Sequence, residues 1–135
     1  MQFVHLGIHT EFSITESIVR IPDLIKAAIS DQMPALALTD LSNLHAAVKF
    51  YTKCMSSGIK PILGSNIRLN DESHRVILLA MSNKGWRSLT EIVSRGYIEG
   101  QQLGIPCVKK EWVLEQSDDI IVLLGKNSDV GEMLC

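Results

Sequence analysis

Residues 33–64, MPALALTDLSNLHAAVKFYTKCMSSGIKPILG, carry the clearest punctuation in the chain. Ala35, Leu36, Ala37 and Leu38 form a short apolar run without alternation, the pattern of a strand buried on both faces. Thr39 and Asp40 close it with polar groups at its carboxyl end. Ser42 or Asn43 can cap a helix running from about Leu44 to Ser57. Ala47, Val48, Tyr51, Cys54 and Met55 recur at helical spacing and predict its apolar face. Gly58 stops the helix, and Lys60 to Gly64 open the next strand. A strand, a crossover helix and a strand make the right-handed βαβ unit, which builds parallel sheet. Folds of that kind place their sites at the carboxyl ends of strands, which draws attention to Asp40.

The rest of the chain repeats the alternation. QFVHLGI, residues 2–8, predicts a first strand ending at His9, followed by a polar loop with Thr10, Glu11 and Ser13. Pro22 and Asp23 open a helix with Leu24, Ile25, Ala28 and Ile29 on one side. The strand after Pro61 runs on to Leu69, and NDESH, residues 70–74, is a surface turn. Arg75 to Met81 is a strand. Ser82 or Asn83 caps a helix from about Lys84 to Tyr97 with Trp86, Leu89, Ile92 and Val93 inward. Gly96, Gly100, Gly104 and Pro106 mark a loop region. Residues 109–116 predict a short helix with Trp112 and Val113 inward, Asp119 to Leu124 is the last clear strand, and Gly125 to Cys135 is loop with the start of a helix. Continuous apolar strands between helices indicate an α/β fold with a mainly parallel sheet or barrel. A closed barrel of the usual kind needs roughly 200 residues or more. With 135 residues, and with neither Gly nor Pro as a stop at Glu132 to Cys135, the expectation is one truncated domain over 1–135.

Composition narrows the classes. A hydrophobic share of 46% and a charged share of 21% are globular values. A formal net charge of -2 gives no electrostatic reason for this segment to bind nucleic acid. No apolar stretch spans a bilayer, no signal peptide opens the chain, and the three scattered cysteines, Cys54, Cys107 and Cys135, suit reduced thiols in the cytoplasm.

The chemistry-bearing residues gather near predicted strand ends. His5 and His9 form an H-x-x-x-H array whose imidazoles face the same way on an extended segment. With Asp40 they could bind Zn²⁺ or Mn²⁺ and activate a water for phosphoester hydrolysis. The plainer reading, favoured on two histidines and one aspartate, is that these are hydrogen-bonded groups fixing loops. His45 in a first helical turn and His74 in a surface turn read as solvated. No G-x-S-x-G, P-loop or G-x-G-x-x-G is present. Trp86 and Trp112 read as packing residues, and CVKKE, residues 107–111, as a solvated face.

FVHLGIHTEFS, the stretch 33–64, and HRVILLAMSNKGWRSLTEIVSRGY together resemble the N-terminal PHP (polymerase and histidinol phosphatase) domain of the bacterial replicative DNA polymerase III alpha-subunit family. The resemblance runs in order across nearly the whole chain and is fullest at residues 3–13 and 33–64. It implies the N-terminal part of a distorted α/β barrel, mainly parallel strands alternating with helices. Metal-binding members of the family hold a metal cluster at the carboxyl ends of the strands. Matched motif by motif, their ligand positions fall here on Gly7, His9, Glu16, Leu41, Asn66, Arg75 (with His74 adjacent) and Lys126. Only His9 is kept, with Glu16 a substitute. Gly and Leu offer no ligand atom, and Arg and Lys place positive charge where cations would sit.

The resemblance therefore implies a PHP domain with an eroded metal site, no catalytic residue and no cofactor of its own. The resemblance implies that it would act as a scaffold docking the proofreading 3′–5′ exonuclease subunit and joining the rest of the polymerase III holoenzyme. The parent chain would carry out DNA-templated synthesis with Mg²⁺, touching DNA outside this segment. The alternative is a residual metal-dependent phosphoesterase, a pyrophosphatase or exonuclease, built on His5, His9, Glu16 and Asp40. A weaker third expectation is self-association through open sheet edges.

Overall fold

A computed structural model describes residues 3–69 and 74–125. They divide between two compact units, Met1–Ser65 and Asn66–Cys135. Residues 70–73 of the turn predicted at 70–74, and the segment beyond Gly125, lie outside the described residues.

The first unit holds α1 (Ile21–Ser30), β1 (Ala35–Leu38), α2 (Ala47–Ser56) and the start of β2 (Lys60–Leu69). β1 is buried at all four residues and pairs in parallel with β2, Ala35 opposite Lys60 and Leu38 opposite Leu63. The predicted βαβ unit is thus present. Three details differ from the sequence reading. Residues 3–8 do not form a regular strand, although Ala37 N–H donates to the His5 carbonyl (3.1 Å) and Thr39 N–H to that of Ile8 (2.9 Å). The two acceptors are three residues apart and the two donors two apart, so the ladder cannot stay in step. α1 buries Ile21, Ile25 and Ala28 but leaves Ile29 exposed, because its buried stripe starts one residue before Pro22. α2 begins at Ala47 rather than Leu44. Asn43 Oδ1 accepts from His45 N–H (3.2 Å), a local turn that competes with helix over residues 43–46. Its buried residues are Ala47, Phe50 and Cys54, while Val48, Tyr51 and Met55 face outward.

The second unit contains the end of β2, β3 (His74–Ala80), α3 (Asn83–Ile98), the two-residue strands β4 (Gln101–Gln102) and β5 (Ile105–Pro106), α4 (Lys110–Glu115) and β6 (Ile120–Leu124). β3 lies beside β2 and pairs antiparallel with β6, Val76 opposite Leu124 and Ala80 opposite Ile120. The described pairings thus include a parallel one, β1 with β2, and an antiparallel one, β3 with β6. The connection from β3 to β6 runs through α3, β4, β5 and α4. β4 and β5 form a small hairpin in the stretch expected to be loop. Leu89, Ile92 and Val93 are buried as predicted, with Val76, Leu78, Trp112 and Val113; Trp86 is only half-buried. Arg95 stacks on Trp112 at 4.2 Å and reaches Glu115 Oε2 at 3.2 Å, tying α3 to α4.

Ser82 caps α3, its Oγ accepting from Lys84 N–H (3.1 Å) and Gly85 N–H (3.2 Å). Gly85 sits against the main chain before β6. An added Cβ would overlap the Asp119 carbonyl oxygen and stand 2.9 Å from its carbon. Gly85→Ala gains about 1 kcal/mol of helix propensity but meets backbone that cannot swing aside, an overpacking cost of about 1–3 kcal/mol. The expected result is a net loss of about 1 kcal/mol, read as a lower urea midpoint at unchanged slope.

Candidate functional site

At the carboxyl end of β1 the chain turns polar while staying buried. Thr39 and Asp40 are 0% and 1% exposed. A buried carboxylate is costly unless donors surround it, and here the 10–13 loop supplies them. Asp40 Oδ1 accepts from Thr10 N–H (2.6 Å) and Ser13 Oγ (2.8 Å), and Oδ2 accepts from Thr10 Oγ1 (2.8 Å). Ser13 Oγ in turn accepts from Leu41 N–H (2.9 Å). Ser65 Oγ, arriving on β2, donates to the Asp40 carbonyl (2.9 Å). Asn43 Nδ2 holds the carbonyls of Phe12 and Leu41, each at 3.1 Å. Thr39 Oγ1 accepts from Ile8 N–H (2.7 Å). Thr10 and Ser13 are the members that the sequence left without a role. The only available signal was their place in the same polar loop.

Ser42, between Asp40 and Asn43, is the discordant member. Its φ is 51°, in the left-handed region, and its buried Oγ has no hydrogen-bond partner among the described residues. Ser42→Gly removes about 1–2 kcal/mol of left-handed strain and an orphaned hydroxyl, against about 0.4–1 kcal/mol of added unfolded-chain entropy. A net gain of about 1 kcal/mol is expected in chemical denaturation.

His9 Nδ1 lies 3.3 Å from Glu16 Oε2, at the loop's edge. His5 is exposed and meets the Phe3 ring edge-on at 4.7 Å. Gly7 is exposed, and Leu41 is half-buried. Asn66 and Arg75 belong to the second unit, and both make further interactions there or elsewhere in the chain. Lys126 lies outside the described residues. His45 is exposed as expected, whereas His74 is half-buried as the first residue of β3 rather than in a turn. Among the described residues no three His, Cys, Asp or Glu side chains gather where they could share a metal ion. A multi-metal cluster needs several anionic or imidazole donors. Both Asp40 carboxylate oxygens accept from Thr10 and Ser13, and His9 lies against Glu16. Burial pushes the Cys54 thiol up to about 11, away from the reactive thiolate.

On this α/β fold the hydroxyl-lined end of β1 is closed by its own loop. The PHP domain family model matches residues 5–134, and the chain belongs to that family. It is 44% identical over 140 aligned residues to DNA polymerase III subunit alpha of Pseudomonas aeruginosa and 42% over 135 to that of Pseudomonas fluorescens, covering 99% and 96% of this chain. The corresponding subunit of Escherichia coli K12 is 36% identical over 98% of the chain. In each case the chain spans 12% of the relative's length. Among solved structures, a Bifidobacterium adolescentis protein assigned as a metal-dependent phosphoesterase superposes with a TM-score of 0.53 at 15% identity, over 71% of this chain and 33% of that one. An amidohydrolase from Chromobacterium violaceum gives 0.50 at 16%, over 68% and 34%. These likenesses show the α/β fold.

Proposed function

We propose that this chain is a non-catalytic PHP scaffold of a replicative DNA polymerase III alpha subunit. Its role is to dock the proofreading 3′–5′ exonuclease subunit while the polymerase chemistry, with its Mg²⁺, resides elsewhere in the parent. The carrying observation is the occupied Asp40. The carboxylate at the strand end is satisfied by three protein donors and holds a loop in place. Gly7 and Leu41, at two of the matched ligand positions, bring no donor atom in their side chains. The fold is kept for its surface. The reading also carries a cytoplasmic setting; no helix among the described residues is long and apolar enough to cross a membrane.

Sedimentation of the chain with a purified proofreading exonuclease subunit tests it: a stable complex is expected, and two independently sedimenting species would refute the docking role. The second reading, a residual phosphoesterase, draws on the His9–Glu16 pair at 3.3 Å. Elemental analysis after exposure to Zn²⁺ and Mn²⁺, followed by a phosphodiester assay, separates the two. Tight stoichiometric metal with hydrolysis abolished by His9→Ala would establish the hydrolase. No retained metal and no hydrolysis is the expected outcome.

A further inference from the structure

We draw no further inference here: the strongest candidate, the tip of the β4–β5 hairpin, where Leu103 stands fully exposed with a left-handed φ of 51°, carries nothing because nothing among the described residues shows what covers it.

Discussion

Asp40→Ala is expected to destabilise the chain by about 3–5 kcal/mol, because it strands three buried donors at once. Thr10 N–H, Thr10 Oγ1 and Ser13 Oγ all lose their acceptor, and Ser13 also anchors Leu41 N–H. Each unsatisfied buried group costs about 1–3 kcal/mol, and the methyl group left behind cannot refill the space. A domain of this kind has about 5–15 kcal/mol in total, so the loss is a large share of its stability. Asp40→Asn retains one acceptor oxygen and should lose less. Equilibrium urea unfolding checks both variants. The result also bears on function: a residue serving as a metal ligand would lose metal affinity on replacement while stability without metal held or rose. A stability loss in metal-free buffer identifies a clasp.

Phe50→Ala is expected to cost a further about 3–5 kcal/mol, the range for emptying a buried aromatic position. Phe50 is 0% exposed and sits with Ala47 and Cys54 on the inward face of α2. Val48→Ala, Tyr51→Ala and Met55→Ala on the opposite side should each stay within about 0.5 kcal/mol. The contrast, measured on the same denaturation curves, tests which stripe of α2 is the core. Equal losses at Phe50 and at Tyr51 would place the sequence-predicted face inside after all.

That helix shows where reading the sequence stops. Helical spacing admits two apolar stripes on α2. One runs through Val48, Tyr51 and Met55, the other through Ala47, Phe50 and Cys54, and the first has more apolar members when Ala47 and Cys54 are lent to it. Periodicity fixes which residues share a face, whereas the angle at which the helix meets its neighbours fixes which face is buried. α1 and α2 pack together within the first unit, and the face that is buried is the one carrying Phe50. The same limit applies to direction in the sheet. The apolar run Ile120 to Leu124 announces a strand, but its antiparallel pairing with β3 depends on the path of the whole chain between Ala80 and Ile120.

The candidate site divides in the same way. The residue types alone place Asp40 at the end of a buried strand, and they alone deny side-chain ligands to Gly7 and Leu41, since donor capacity is a property of the side chain itself. The α/β character and the βαβ unit are equally local, written in unbroken apolar runs and in the stop at Gly58. Tertiary structure decided what Asp40 is for. Thr10 and Asp40 are thirty residues apart in the chain and 2.8 Å apart through their side chains. No spacing rule spans that distance. Only the docking of the loop onto β1 brings the donors to the acid, and in closing that network the fold turns a polar strand end into a clasp.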